Sequence, residues 1–258
     1  MTRGDGRTKS ELAYPEIDWN WDRHPVEVEW YDKVWPVVAP RVPERCRVLE
    51  IGVGPGYIPS QLARLKACRA FGADPLQSAM SAAKAVAEKA GVEIHLVRGV
   101  GQSLPFREGA FDVVFSLGVI EHFPTEESRL MVAEHARVCR DGGLVLIGVP
   151  NLLNLVHTII KLCQGKSYDY YPEHSYSRPT LTRWMRAAGL KPVFHDGYAT
   201  FWPLRLARSR VGRLLAYAWV RSGLEKYLER LESPFTRSWF GMLTVVVARK
   251  APAGEIDR

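Results

Sequence analysis

The chain has 258 residues, of which 47% are hydrophobic and 24% charged, and its net charge is +7. This length suits one large domain, and the composition excludes an intrinsically disordered chain. No stretch approaches the roughly 20 apolar residues of a membrane-spanning helix. The polar N-terminus also lacks the apolar core of a secretion signal, so we expect a cytoplasmic protein.

The cysteines are scattered along the chain, without a Cys-x-x-Cys pair or a histidine at metal-ligand spacing. They are Cys46, Cys68, Cys139 and Cys163. This pattern predicts reduced thiols and no metal site built on cysteine.

Residues 1–45 are predicted to form an N-terminal arm and helix. The arm is rich in aromatic residues, and a helix is expected over 27–38, before the prolines Pro40 and Pro43. The remaining residues, 46–258, are predicted to form one α/β domain.

A short stretch at residues 48–56, Val-Leu-Glu-Ile-Gly-Val-Gly-Pro-Gly, has the composition of a ligand-binding turn. Its first residues predict the end of a buried strand. The glycines Gly52, Gly54 and Gly56 then allow a sharp turn and a close approach of the backbone to a ligand before a helix begins. We expect a nucleoside to bind at this turn.

The glycine spacing argues against a dinucleotide, whose fingerprint needs a third glycine three residues after the second. That position is Pro59 in one register and Tyr57 in the other. Two acids flank the turn instead. Asp74, at the end of the next strand, suits a ribose diol, whereas Glu50 can orient the turn or hold an ammonium group. A nucleoside that carries an ammonium group without a phosphate is S-adenosylmethionine.

Three further motifs follow the turn in order. They are Leu104-Pro105-Phe106, then Phe111-Asp112-Val113-Val114, and then Arg137-Val138-Cys139-Arg140-Asp141-Gly142-Gly143. With the glycine turn, this ordered set resembles the class I S-adenosylmethionine-dependent methyltransferases, in particular the small-molecule group related to quinone-biosynthesis enzymes. The resemblance covers roughly residues 46–150. It implies a Rossmann-like fold, with a mostly parallel seven-stranded sheet, helices on both faces and an antiparallel last strand.

The pattern of apolar residues predicts alternating strands and helices, which is typical of a parallel sheet covered on both faces. Strands are predicted near 46–51, 69–74, 93–98, 111–116 and 144–149. Helices are predicted near 57–67, 77–90 and 125–139.

A first elaboration is predicted at about 151–178. Asn151 can cap a helix with one apolar stripe, which Gly165 ends. An aromatic loop follows, and its tyrosines Tyr168, Tyr170, Tyr171 and Tyr176 either line an acceptor pocket or pack within a lid. Because ligands bind at the carboxyl ends of parallel strands, we favour a lid over the acceptor.

A helix over 179–188, a strand over 191–196 and a last strand over 241–249 are expected next, with a second, mainly helical elaboration at about 203–240. That elaboration carries eight Arg or Lys residues against three acids. Three interpretations stay open: a solvated face over a buried stripe, a basic amphipathic helix that rests on an anionic membrane, or a footprint for RNA.

The resemblance implies a set of cofactor contacts. They are Glu50, Gly52, Gly54, Gly56, Asp74, Pro75, Leu76, Gly101, Gln102 and Leu117. Relatives commonly have an acid for the adenine amino group where this chain has Val100, so Gly101 and Gln102 have to replace it. The resemblance also suggests that Tyr14, Trp19 or Tyr31 of the arm covers the methionine end, although these aromatics can equally pack an accessory helix onto the core.

Two histidines are candidate catalytic bases, because a base is needed when the acceptor is an alcohol, a phenol or an ammonium group. His122 follows the fourth predicted strand, and His174 lies in the aromatic loop. Quinone O-methyltransferases have a metal-associated trio in which a second Glu precedes a Glu-His pair. Here Glu121-His122 is present but the third position is Gly118, so no metal is predicted.

These observations predict a methyltransferase that uses S-adenosylmethionine, yields S-adenosylhomocysteine, and methylates oxygen or nitrogen of a small to medium, hydrophobic or lipid-like acceptor. Peripheral membrane contact through 203–240 is a further expectation, and nucleic acid is not expected as a partner. An RNA-directed methyltransferase, a nicotinamide oxidoreductase and a non-catalytic cofactor-binding partner subunit are the alternatives.

Overall fold

A seven-stranded sheet in the order β3-β2-β1-β4-β5-β7-β6 is the centre of the structure. The computed structural model describes residues 28–164, 172–200, 227 and 233–252. Strand β7 runs antiparallel to both of its neighbours, β5 and β6, whereas the pairs from β3 to β5 are parallel. This topology confirms the predicted Rossmann-like methyltransferase fold with an antiparallel last strand.

The strands are β1 (Arg47–Ile51), β2 (Arg69–Asp74), β3 (Ile94–Arg98), β4 (Phe111–Leu117), β5 (Cys139–Pro150), β6 (Leu190–Tyr198) and β7 (Leu243–Lys250). The described helices are α1 (Val28–Val38), α2 (Tyr57–Lys66), α3 (Gln77–Ala90), α4 (Thr125–Val138), α5 (Leu155–Gln164), α6 (Arg178–Ala187) and α7 (Pro234–Phe240). A short 3-10 turn, Ile120–His122, lies between β4 and α4.

Both faces of the sheet are buried, because successive side chains of each strand point to opposite sides. In β1, Leu49 and Ile51 pack in one core cluster, which also contains residues of α4 and α6. Val48 packs in the other cluster, with residues of α1 and α2. The strands therefore read as nearly continuous apolar runs, which is the pattern that the sequence shows.

Strand β5 is longer than predicted. It begins at Cys139, which pairs with Phe111, and regular pairing with β4 resumes only at Leu144 after an irregularity. The residues between them, 140–143, are polar or glycine, and the predicted strand began only near residue 144. Pairing with the edge of β4 overrides that local preference.

Helix α5 begins at Leu155, three residues later than predicted. Asn154, rather than Asn151, caps it, because its Oδ1 accepts from the backbone N–H of His157 at 2.9 Å. Asn151 forms an Asx turn instead, in which its Oδ1 accepts from the N–H of Leu153 at 3.0 Å. The prediction of Asn151 as the cap was wrong, since two asparagines three residues apart compete for that role.

The same two asparagines join α5 to the C-terminal part of the chain. Asn154 Nδ2 donates to the carbonyl oxygens of Phe240 (2.8 Å) and Thr200 (3.1 Å). Asn151 Nδ2 donates to the carbonyl oxygen of Trp239 at 2.8 Å. The first turn of α5 therefore lies against the end of α7.

Helix α5 turns its polar side inward and its apolar side outward. His157 is fully buried and Lys161 is only 15% exposed, whereas Leu155, Ile159 and Leu162 are 70%, 58% and 77% exposed. The predicted apolar stripe exists, but it does not face the protein core.

Several predictions lie outside the described residues. They are the roles of Tyr14, Trp19, Tyr168, Tyr170 and Tyr171, and most of the basic 203–240 segment. Within the described residues, none of the helices combines the length and the apolar character needed to cross a membrane.

Replacing Asn154 tests how α5 is anchored. Asn154→Ala removes the helix cap and two side-chain donors, so we expect a loss of about 2–3 kcal/mol in the free energy of unfolding. Asn154→Asp keeps the cap acceptor and removes only the donors, so its loss should be smaller. Urea denaturation of both variants checks this, and equal losses would show that the cap does not contribute.

Candidate active site

The turn after β1 is a tight glycine bend at the carboxyl ends of the strands. The N–H groups of Gly52 and Val53 both donate to the carbonyl oxygen of Ala73, at 2.8 and 3.1 Å. Gly52 has a φ of 70°, in the left-handed region, and a Cβ there would lie 2.5 Å from Val119 Cγ2. Gly56 has a φ of 66° and begins α2, where a Cβ would lie 2.9 Å from Ala83. The bend needs glycine at both positions.

Asp74 holds this bend from the end of β2. Its Oδ2 accepts from the N–H of Gly54 at 3.2 Å, and its Oδ1 accepts from the N–H of Leu76 at 3.0 Å. Burial raises the pKa of Asp74, and these two amide donors partly offset that rise. Each carboxylate oxygen can accept a second hydrogen bond, so the group remains able to bind a ribose diol.

Glu50 is the second acid beside the bend. Burial and then the neighbouring charge of Asp74 raise the pKa of Glu50 well above its usual range. A cation placed between the two carboxyl groups would relieve this repulsion. The methionine ammonium group of S-adenosylmethionine is such a cation.

The residues predicted for the adenine side lie around the same edge of the sheet. Pro75 and Leu76 directly follow Asp74, and the buried Gly101 packs so closely that a Cβ would lie 2.4 Å from Met131 Cε. Gln102 Nε2 donates to Glu127 Oε2 at 3.0 Å, which fixes the orientation of the amide. Gln102 Oε1 is buried without a hydrogen-bond partner within the described structure, so it is an acceptor that a ligand donor can satisfy.

Aromatic residues lie near the glycine bend. The Tyr31 ring from α1 packs 4.8 Å from the Tyr57 ring at the start of α2. Tyr198, at the end of β6, is buried, and its pKa is raised well above its usual range by burial and then by the charges of Glu121, Tyr31 and Glu50. Tyr198 therefore lies among the groups that flank the bend and the candidate base.

His122 is held in a defined orientation. Its Nδ1 lies 2.9 Å from the carbonyl oxygen of Pro172. Because a carbonyl oxygen only accepts, Nδ1 carries the proton of the neutral ring and Nε2 keeps the lone pair. His122 Nε2 is 4.0 Å from Glu121 Oε1. The ring is thus set up to accept a proton at Nε2.

A buried carboxyl pair lies next to His122. Ligand atoms of Glu121, His122 and Glu173 all lie within 4.8 Å of one another. The pKa of Glu121 is raised well above its usual range, first by burial and then by the charge of Glu173. Glu121 Oε2 has no hydrogen-bond partner within the described residues. Two carboxyl groups this close together repel each other when both are ionised, so a positive charge nearby would stabilise them.

Lys161 of α5 supplies that charge. Its ammonium group is 3.0 Å from Glu173 Oε1 and 2.5 Å from Ser175 Oγ. His157, one turn before it, lies 3.4 Å from Glu173 Oε1, and burial together with the charge of Lys161 lowers the pKa of His157 to about 3. Glu121, His122 and Glu173 are the right residue types for a divalent ion, but an ammonium group already balances Glu173. The prediction of no metal remains a prediction.

The other two predicted residues of the aromatic loop have different surroundings. His174 has an exposed ring, and its backbone N–H donates to the carbonyl oxygen of Glu121 at 2.9 Å. Tyr176 is buried in the core, where its ring packs 4.9 Å from the Trp184 ring and its hydroxyl lies 3.4 Å from Ser128 Oγ. Tyr176 is therefore a packing residue of the core, and its contact with an acceptor remains a prediction.

Sequence reasoning missed several residues of this site: Val119, His157, Lys161, Glu173 as a charged partner, and Tyr198. The polar spacing of Asn154, His157 and Lys161 on an otherwise apolar helix is a signal that points to an inward polar stripe. Nothing in the local sequence marks Tyr198, because its position depends on how β6 joins the sheet.

Comparison with known proteins identifies the part of the chain that holds this site. Residues 48–143 match a family described as "Methyltransferase domain". The chain contains a class I S-adenosylmethionine-dependent methyltransferase domain. The matched residues begin in β1 and include the glycine bend, Asp74 and His122, and the cofactor of this family is S-adenosylmethionine.

Relatives of this methyltransferase domain include two proteins named "Ubiquinone biosynthesis O-methyltransferase". The one from Maricaulis maris is 34% identical over 109 residues, 42% of this chain and 42% of that protein. The one from Ruegeria pomeroyi is 28% identical over 184 residues, 69% of this chain and 73% of that protein. The chain spans only about two fifths of the first curated relatives that it matches, 41% and 42% of their length.

Solved structures also share the fold of this methyltransferase domain. An S-adenosylmethionine-dependent methyltransferase from Methanosarcina mazei superposes with a TM-score of 0.59 at 15% identity, covering 85% of this chain and 99% of that one. At this identity the likeness shows the fold alone.

Two glycine variants separate backbone strain from crowding in the bend. Gly91 also has a positive φ, of 67°, but a Cβ there would meet nothing within 4 Å. We expect Gly91→Ala to cost about 1–2 kcal/mol of unfolding free energy from strain alone, and to leave cofactor binding intact. Gly52→Ala adds the clash with Val119, so it should cost more and weaken S-adenosylhomocysteine binding at least about tenfold. Denaturation and calorimetry measure both, and equal behaviour of the variants would contradict the geometry of the bend.

Proposed function

We propose that the protein transfers a methyl group from S-adenosylmethionine to oxygen or nitrogen of a small to medium, hydrophobic or lipid-like acceptor. The observation that carries the proposal is the pair of buried carboxyl groups, Glu50 and Asp74, on either side of a glycine bend. This arrangement suits an adenosyl group with an attached cation, and it has no third glycine for a pyrophosphate.

The cofactor, when bound, supplies an electrophilic methyl group. The acceptor heteroatom forms the new bond to carbon, the sulfur–carbon bond breaks with its electron pair going to sulfur, and S-adenosylhomocysteine remains. Because positive charge at sulfur disappears during transfer, the protein mainly has to align the reactants and exclude water. Tyr31 and Tyr198 supply the aromatic and buried surroundings for this at the methionine end.

His122 is the proposed general base for an acceptor that arrives protonated. The carbonyl of Pro172 holds the proton on Nδ1, so Nε2 is the ring nitrogen that would take the proton that the acceptor loses. Glu121 then lies beside the protonated ring and stabilises its charge. His174 is the second candidate, with an exposed ring next to the same carboxyl pair.

The nature of the acceptor is inferred from the relatives and from the lid. Both relatives described above are named for oxygen methylation in ubiquinone biosynthesis, which favours a small molecule with a hydroxyl group. This chain has Gly118 where the resemblance to quinone O-methyltransferases implies an acid, and Lys161 provides the nearby positive charge. The predicted tyrosine-rich loop at 165–171, outside the described residues, favours an aromatic or apolar acceptor.

Replacing Asp74 tests cofactor binding. Asp74→Ala removes a carboxylate acceptor and the hydrogen bond that anchors the Gly54 N–H. We therefore expect the affinity for S-adenosylhomocysteine to fall by about tenfold to a hundredfold. The matched control is Asp112→Ala, because Asp112 also binds a backbone N–H, that of Arg47, but at the opposite end of the sheet. Calorimetry should show unchanged affinity for the control. Unchanged affinity in Asp74→Ala would remove the basis of the proposal.

Replacing the two histidines tests the base. His122→Asn keeps a donor near the position of Nδ1 but has no base at Nε2, so methyl transfer should fall about 10²–10⁴-fold while cofactor affinity is unchanged. His174→Asn should reduce transfer much less. Transfer of labelled methyl groups to extracted lipids and small phenols measures this.

Cofactor binding without transfer to any acceptor by the unmodified protein would instead indicate a non-catalytic partner subunit, and salt-sensitive RNA methylation would indicate the RNA-directed alternative.

A further inference from the structure

A cluster of exposed apolar side chains lies on helices α5 and α7. We call it the α5–α7 surface and define it by Leu155, Val156, Ile159, Leu162, Phe235 and Phe240, which are all exposed. Side chains of this size are normally turned inward, and several neighbouring ones in contact with water indicate an interaction site.

The orientation of α5 explains why this surface is exposed. The polar stripe of the helix, with His157 and Lys161, is engaged by Glu173 on the inside. A helix has only one inward side, so these contacts direct the apolar stripe away from the core. The exposure of the apolar surface is therefore a consequence of the inward contacts of His157 and Lys161 with Glu173.

Helix α7 extends the surface at the start of α5. Asn154 and Asn151 bind the backbone carbonyls of Phe240 and Trp239, which fixes the end of α7 beside the first turn of α5. Phe235 and Phe240 are 66% and 46% exposed. The Arg178 guanidinium lies 3.8 Å from the Trp239 ring centre. Exposed aromatic rings beside cationic groups are typical of surfaces that contact the interface of a bilayer.

The charges at this surface favour an anionic partner. Helices α5 and α7 contain no acidic residue. The stretch of sequence between Thr200 and Ser233 starts next to Asn154 and ends at α7, and it carries seven Arg or Lys residues against three acids. Repulsion between like charges also disfavours a second copy of this chain, because its net charge is +7. An anionic lipid surface complements both the apolar residues and the charge.

We propose that the α5–α7 surface docks the protein onto an anionic lipid membrane, with its apolar side chains in the headgroup region. The proposal does not depend on methyl transfer, although such docking would bring a lipid-like acceptor close to the helix that carries Lys161. It extends the sequence-based expectation, which concerned only the basic 203–240 segment, to a surface that the sequence did not indicate.

Vesicle flotation of the full-length protein tests the proposal. We expect binding to vesicles of equal parts phosphatidylcholine and phosphatidylglycerol, and at least about tenfold weaker binding to phosphatidylcholine alone. Ile159→Glu combined with Leu162→Glu places two charges on the surface, and should weaken binding to the mixed vesicles at least about tenfold. The matched control is Leu65→Glu with Leu130→Glu, because those leucines are similarly exposed (57% and 56%) but lie on α2 and α4. The control should bind as the unmodified protein does.

Calorimetry with S-adenosylhomocysteine and thermal denaturation accompany these assays, and show whether each variant is folded independently of the vesicles. Failure of the unmodified protein to bind mixed vesicles, or equal binding by both double variants, would overturn the proposal. A dimer that only the α5 variant dissociates would identify a second copy as the partner. A large loss of thermal stability in the α5 variant, without vesicle binding by the unmodified protein, would identify residues 201–232 of the same chain as the cover.

Discussion

The hydrogen bonds from the glycine bend to the end of β2 are the interaction on which the active site depends. Ala73 and Asp74 together accept from Gly52, Val53 and Gly54, so the turn after one strand is shaped by the neighbouring parallel strand. Because parallel pairing places the carboxyl ends of both strands at one edge, the two acids come together beside the backbone that faces the ligand. Changing either strand register would separate them.

The burial of carboxyl groups at this site costs folding free energy, and we attribute their presence to function. Burial raises the pKa of Glu50, Asp74 and Glu121. The charge of Asp74 adds to the rise in pKa at Glu50, and the charge of Glu173 adds to the rise at Glu121. Such perturbed groups in one cleft are typical of functional sites. The cation of the proposed cofactor would relieve the first pair, whereas Lys161 from α5 already balances Glu173 of the second.

Helix α5 connects the chemistry of the site to the outside of the protein. Its polar side contributes Lys161 and His157 to the carboxyl cluster next to His122, and for that reason its apolar side faces outward. The same contacts of Lys161 and His157 with Glu173 that complete the proposed active site thus expose the proposed lipid-docking surface. This coupling is geometric: a helix cannot turn one stripe toward the core without turning the opposite stripe toward its surroundings.

The sequence by itself determined the fold class, the glycine bend, Asp74 and Glu50, because each depends on local periodicity or on motifs with short spacing. For the same reason, the predicted bounds of β1, β2 and α2 through α4 agree with the bounds in the structure to within about one residue. Only the tertiary structure decided which asparagine caps α5, that Tyr176 packs in the core, and that Glu173 lies beside His122 with Lys161 as its ion-pair partner. Those residues are far apart in the chain, and their meeting depends on long-range packing and on the exchange of buried charge, which no local pattern records.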